Sequence, residues 1–400
     1  MRLWILQVVV ALAFAVFAAA AGAAEHGDDQ EDEGEDAGAQ ANEEDADAAG
    51  EDEDDWVEAT LAAMTLREKI GQMFMIDLKD GSLTPEVVRQ VDAGSFGNVI
   101  LFEKNLQDYD QTRLLIRRLQ THALVQRGVP MLVAVDQEGG IVNRLGGVTQ
   151  FKSMRHSART LGAVYDYAPR RATRLVNQLT AEVAVWMKGL GFNMNLAPVL
   201  DLTSDKSSYI YDRSYGGDPD KVSEIARQYA ATMRRHGIVT TGKHFPNLSL
   251  TRTDSHKALP TLDRTLAQLT EHEFVPFERL SEELSAIMVG HVMVPQLDPK
   301  HPASVSSRIT RILREDIGFD GVIISDDLKM RALSDRYSLR ESVLRCVFAD
   351  IDLMIMAWDR VRQLEAVDVL EQAVRKGHIK PARIDASVRR ILALKSRFAR

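Results

Sequence analysis

The chain carries eight short apolar runs, separated for the most part by stretches with helical period, and few folds accommodate that pattern. The runs are IGQMFMIDL (70–78), GNVILF (97–102), MLVAVDQE (131–138), MNLAPVLD (194–201), IVTTGKHF (238–245), SAIMVGHV (285–292), GVIISDDL (321–328) and DLMIMAW (352–358). A strand that is apolar along its whole length is buried on both faces, which happens when helices cover both sides of a parallel sheet. Eight strand–helix units in about 340 residues predict one α/β domain, a closed (β/α)8 TIM-type barrel over residues 56–400, rather than an open doubly wound sheet. Gly191, Gly237 and Gly321 each stand between a helical stretch and the next run, where a C-terminal helix cap is expected.

A barrel of this kind keeps its chemistry at the C-terminal ends of its strands, and polar residues collect there. Asp136, Gln137 and Glu138 end the third run, and Asp201 the fourth. Lys243 and His244 end the fifth, His291 the sixth, Asp326 and Asp327 the seventh, Trp358 and Asp359 the eighth. The opposite ends are mostly apolar or glycine.

Composition bears on what surrounds this body. With 45% hydrophobic and 27% charged residues the chain is of globular type. Its one cysteine, Cys346, excludes a disulfide framework and a cysteine-based zinc cluster, and its setting in ESVLRCVFAD reads as a small buried hydrophobe. The formal charge of −9 is uneven: residues 25–55 hold 17 of the 58 acids and no Lys or Arg. Trp56–Arg400 is left with 41 acids against 48 bases, too diffuse an excess for nucleic-acid binding. The acidic strip has almost no apolar content to offset its chain entropy and is expected to be a disordered linker.

Residues 1–24 pair Arg2 with the apolar run LWILQVVVALAFAVFAA and then AAAGAA, the layout of a cleaved signal peptide. The expected location is therefore exported, periplasmic or extracellular. An uncleaved N-terminal anchor is the alternative, and only in that case is a membrane a partner.

Several residue groups could do chemistry. Adjacent strand residues point to opposite faces, so one of Asp326 and Asp327 is expected to face the barrel mouth, as a nucleophile or as a stabiliser of positive charge; the other reads as a helix N-cap. In the loop KHFPNLSLTRTDSHKALP, Asp254 and His256 are two apart, a spacing that lets a carboxylate orient an imidazole in a turn. VDQEGG reads as a tight turn, and Arg144 and Arg213 as donors to hydroxyls or carboxylates. His272–Glu273 lacks the second histidine of HExxH, and no Walker or GxGxxG motif is present, so no metal and no cofactor is expected.

Taken together, VDQEGGIVNRL, GFNMNLAPVLDL, YDRSYGGDP, GKHFPNLSLTRTDSH, GHVMVPQLDPKHPASVS and GVIISDDLKM resemble the NagZ-like β-N-acetylhexosaminidase branch of glycoside hydrolase family 3, from about Trp56 to the C-terminus. The resemblance implies a single (β/α)8 barrel and a retaining exo-β-N-acetylglucosaminidase acting on peptidoglycan fragments or related glycans. It aligns Asp326 with the nucleophile, His256 with the general acid/base and Asp254 with its partner. Asp136, Arg144, Arg213, Lys243 and His244 align with residues that hold the sugar. S-D-D, where larger relatives acting on plain glucosides carry S-D-W, implies the N-acetylglucosamine branch. Two departures stand out. Asn247, Leu248 and Ser249 replace the G-H-G that follows K-H-F-P, which reduces backbone freedom in the loop. Ile141 replaces an arginine, which removes a potential partner of Asp136 or a neighbouring acid. They keep open a broad β-glycosidase and a diverged sugar-binding protein. The aglycone and the oligomeric state are not encoded in any readable pattern.

Overall fold

The computed structural model describes residues 54–148, 156–248 and 254–399, all within one folded unit, Glu53–Arg400. Residues 1–24, read above as a signal peptide, together with Ser249 and nearly all of the acidic strip, lie outside the described residues. Among the described residues no helix is long and apolar enough to cross a membrane.

Each of the eight apolar runs contains a barrel strand. They are β1 (Phe74–Asp77), β2 (Asn98–Ile100), β3 (Leu132–Val135), β4 (Met194–Asn195), β5 (Val239–Phe245), β6 (Ala286–Val289), β7 (Val322–Ser325) and β8 (Leu353–Met356). Every strand residue is buried. Neighbours in sequence pair in parallel, and β1 closes the ring against β8 in the register Phe74↔Met354. The methionines of MFM and DLMIM are fully buried core. Cys346 is likewise buried and unbridged.

The helices between strands start and stop where local chemistry requires. Thr65 forms a capping box with Glu68, Asp108 caps Tyr109–Arg127, and Asp218 caps Pro219–Arg235. Gly191 and Gly237 take left-handed φ of 99° and 71° before β4 and β5, as a C-terminal cap demands. Gly321 does not. In that connection Gly318 adopts the left-handed φ of 75°, and Gly321 is needed for space, because a Cβ there would lie 2.7 Å from the Ser285 carbonyl oxygen. Asp359 is also a cap, accepting from the N–H groups of Val361 and Arg362, and so belongs to the helix Arg360–Arg375.

Candidate active site

One cavity opens at the C-terminal ends of the strands. Its charged lining comes from β3 and the turn after it (Asp136, Glu138, Arg144), from β5 (Lys243, His244), from β7 (Asp326, Asp327), and from Arg213 and His256 on loops. Of the residues that the family resemblance assigned to catalysis or sugar binding, Asp254 alone does not line it directly; Asp201 and His291 lie behind the lining. Asp254 stands beside His256, and its Oδ1 lies 3.0 Å from the ring Nδ1 and accepts the His256 backbone N–H at 2.9 Å.

Asp326 follows β7, whose end is fixed by the Asp326 N–H donating to the Val289 carbonyl of β6. Burial raises the cost of its charge, yet His291, His244, the Asp327 N–H and His256 outweigh that cost and hold the carboxyl below its ordinary value. Asp327 behaves in the opposite way. Burial pushes its pKa up to about 6, although it accepts N–H groups from Lys329 and Ala357, both at 3.1 Å. Both residues line the cavity, but the Asp327 carboxylate is taken up by backbone N–H groups, and the regular strand stops at Ser325. Asp327 is not a helix cap: the next helix, Arg331–Ser334, starts from Met330. It ties the end of β7 to the end of β8.

His256 is exposed, but Ser255 beside it is buried, and the Ser255 carbonyl accepts the Ala332 N–H at 3.2 Å. The loop is thereby anchored to the segment that follows Asp326. The His256 N–H and ring bonds to Asp254 help hold that carboxyl below its ordinary value against the effect of burial.

Opposite lies a dense charge cluster. Lys243, joined to His244 by a cis peptide, is buried and donates to Asp136 at 2.8 Å, with a Glu138 oxygen 2.7 Å away. Arg213 meets Glu138 in a two-pronged pair, Nε to Oε2 and Nη2 to Oε1, both 2.8 Å. Burial opposes both charges of Glu138 and Lys243, but their partners prevail: the Glu138 carboxyl is held far below the usual range and Lys243 above its own. Arg144 is ion-paired with Glu103 at 2.5 Å, while its Nε is buried without a partner among the described residues. Ile141, at the tip of the hairpin Gln137–Gly139/Val142–Asn143, is 67% exposed. Asp136 and Glu138 therefore keep ion pairs without an arginine at 141.

Two residues work from behind the lining. Asp201, fully buried, accepts the His244 backbone N–H at 3.2 Å, its ring Nδ1–H at 2.7 Å and the Leu248 N–H at 2.6 Å. His291 donates Nε2–H to the Asp327 carbonyl at 3.0 Å, and its Nδ1 lies 2.6 Å from the Ser304 hydroxyl; burial lowers its pKa against the pull of the Asp326 carboxylate. The residue that sequence reasoning noted at the end of the third run but gave no role is Glu138. Its signal was there, a second acid in VDQEGG two positions after Asp136, but the cations that claim it lie 75 and 105 residues away.

The described residues contain no cluster of three potential metal ligands. The arrangement as it stands is a depressed carboxylate and a carboxylate-supported imidazole in one cavity, beside fixed cations and acceptors suited to hydroxyl groups.

Comparison with known proteins agrees with that chemistry. Residues 65–394 match the glycosyl hydrolase family 3 N-terminal domain. The chain is 33% identical over 295 residues to a beta-hexosaminidase of Idiomarina loihiensis, covering 74% of this chain and 86% of that one. It is 36% identical over 261 residues to a beta-hexosaminidase of Chromobacterium violaceum, covering 64% and 70%. Among solved structures it is similar to a family 3 beta-N-acetylglucosaminidase from Paenibacillus sp. str. FPU-7, with TM-score 0.78 and 35% identity, over 84% of this chain and 63% of that one. It is also similar to M tuberculosis LpqI, with TM-score 0.74 and 30% identity, over 84% and 94%.

Proposed function

Since the chain belongs to glycosyl hydrolase family 3 and is a glycoside hydrolase, we propose that it is a retaining exo-β-N-acetylglucosaminidase that removes terminal N-acetylglucosamine from peptidoglycan fragments. The observation that carries this reading is the meeting, in one cavity, of the depressed Asp326 carboxylate with the His256 imidazole and its Asp254 partner. The names of the similar proteins support the sugar.

Asp326 attacks the anomeric carbon as the bond to the aglycone oxygen breaks, giving a covalent glycosyl-enzyme. The oxygen leaves with the Nε2 proton of His256, whose charged form Asp254 stabilises through Nδ1–H. The neutral imidazole then takes a proton from water, and the resulting nucleophile displaces Asp326 at the same carbon. The sugar departs with its original β configuration, and carboxylate and imidazolium are restored. Asp136, Lys243, Arg213 and His244 hold the sugar hydroxyls, and Arg144 adds a donor once its bond to Glu103 is exchanged for one to substrate. The hydrophobic N-terminal run and the small residues behind it support export, which puts the enzyme beside cell-wall polymer.

The test compares p-nitrophenyl β-N-acetylglucosaminide with the β-glucoside, with Asp326→Ala as control. Hydrolysis of the N-acetylated substrate by wild type alone, with β-product seen first by NMR, is expected. Equal turnover by wild type and variant rejects the assignment; preference for the glucoside moves it to a broad β-glycosidase.

A further inference from the structure

We propose that Glu138 is a positioning residue that sets sugar affinity by fixing which edges of Arg213 and Lys243 face the substrate; this rests on the glycosidase reading of the cavity. The backbone that carries Glu138 is fixed on both sides. Asn195, at the end of β4, clamps the backbone beside it, accepting the Gln137 N–H at 3.0 Å and donating to the Gln137 carbonyl at 2.9 Å. The same amide donates to the Tyr229 hydroxyl at 2.7 Å, so the clamp is itself held by the helix Pro219–Arg235. Gln137 also accepts the Leu145 N–H, which closes the hairpin on its other side. On its other side Glu138 lines a small pocket with the buried Tyr215 and Tyr229, so what holds the carboxylate in place is its bonds to the two cations on the cavity side.

The consequence for the cations is geometric. The Nε–Nη2 edge of Arg213 is consumed by Glu138, and Nη2 also lies 3.4 Å from His244 Nε2. Nη1 has no partner among the described residues and is the donor left for a ligand. Lys243 has carboxylate oxygens of Asp136 and Glu138 within 2.8 Å, so of its three N–H groups one remains. A guanidinium and an ammonium released from this acid lose the partner that fixes their orientation, and misplaced donors in a preorganised site are costly. Glu138 itself touches neither the reacting carbon nor the departing oxygen in this scheme. Its loss therefore weakens binding of the sugar in ground and transition states alike, which raises KM and spares kcat.

The experiment measures kcat and KM for Glu138→Gln, Glu138→Asp, Arg213→Met and the double variant Glu138→Gln/Arg213→Met on the chromogenic N-acetylglucosaminide. Glu138→Gln is expected to raise KM about tenfold or more while changing kcat less than about threefold, and the double variant to have the KM of Arg213→Met, because coupled residues are not additive. Glu138→Asp keeps the charge but retracts it by one methylene and is expected to show an intermediate KM; it replaces Glu138→Gln if that variant does not fold. Loss of kcat with KM unchanged, or additive effects in the double variant, overturns the proposal. If wild type cleaves another glycoside instead, the substrate reading fails while the same ratios on that glycoside still judge Glu138. If it cleaves none, calorimetric Kd values for N-acetylglucosamine replace KM, and an unchanged Kd in Glu138→Gln overturns the role.

Discussion

The Asp201 carboxylate lies 2.7 Å from His244 Nδ1 and at the same time receives two backbone N–H groups, of His244 and of Leu248. One buried acid thus sets the imidazole tautomer and shapes the chain just after β5. With Nδ1–H committed to Asp201, Nε2 is left as an acceptor facing Arg213 and the cavity.

Replacing Asp201 by Ala is expected to cost about 2–4 kcal/mol, since three buried donors lose their acceptor together. Thermal unfolding should register this as a fall of roughly 3–6 °C. A melting temperature within a degree of wild type would show that water satisfies these donors and that Asp201 is dispensable to the fold.

His256→Ala is expected to slow hydrolysis of substrates with poor leaving groups by about a hundredfold to ten-thousandfold, the usual worth of a general acid. Dinitrophenyl glycosides, which leave without protonation, should lose far less in glycosylation. Added azide should speed turnover of the variant and yield the β-glycosyl azide. An α-azide, or no acceleration, argues against His256 as the acid/base of a retaining enzyme.

Asp326 and Asp327 should affect stability with opposite signs. The Asp326 carboxyl is held below its ordinary value, so its contribution is present above the unfolded pKa of about 4 and is lost as pH falls. Asp326→Asn therefore destabilises at pH 7, and the difference narrows in acid. The Asp327 carboxyl is raised to about 6, so ionising it burdens the folded state increasingly as pH rises from about 4 through 6. Asp327→Asn should stabilise at pH 7 by on the order of 2 kcal/mol, after allowance for solvent screening, and do nothing near pH 3. Melting curves of both variants from pH 3 to 8 check the pair; curves that shift in the same direction at pH 7 contradict it.

Lys395 offers a test at the other end of the barrel. It is fully buried and donates to Gln72 Oε1 at 2.6 Å and to the Gly97 carbonyl at 2.8 Å, with no carboxylate among these partners. Burial, and then Arg127, lower its pKa well below the ordinary lysine value. The unfolded chain binds this proton more tightly, so stability should climb as pH rises toward about 10. That climb should be smaller in Lys395→Met, as followed by denaturant unfolding at pH 7 and pH 9.5.

The barrel was legible because its strands are buried on both faces and helices cover them, so each strand falls within a mostly apolar run that polar residues follow or end. Asp136 and Asp326 could be picked out because each directly follows its strand, and Lys243 and His244 because they are the charged residues near the end of β5. Asp327 was misread because strand alternation was carried one residue beyond the strand, into a segment where the Lys329 and Ala357 N–H groups set its direction. Gly321 was misread because spacing shows that a glycine is wanted near a helix end but not whether conformation or space is the reason.

What the order of residues determined by itself was the number of strands, their sequence around the ring and the end at which charge gathers, since these follow from local periodicity and from the parallel connection of neighbouring units. The partners of the charges were decided only by the closed barrel. Glu138 with Arg213, Lys243 with Asp136 and His244 with Asp201 are 75, 107 and 43 residues apart. A buried ion pair depends on distance and on exclusion of water, and neither quantity exists until the ring has closed.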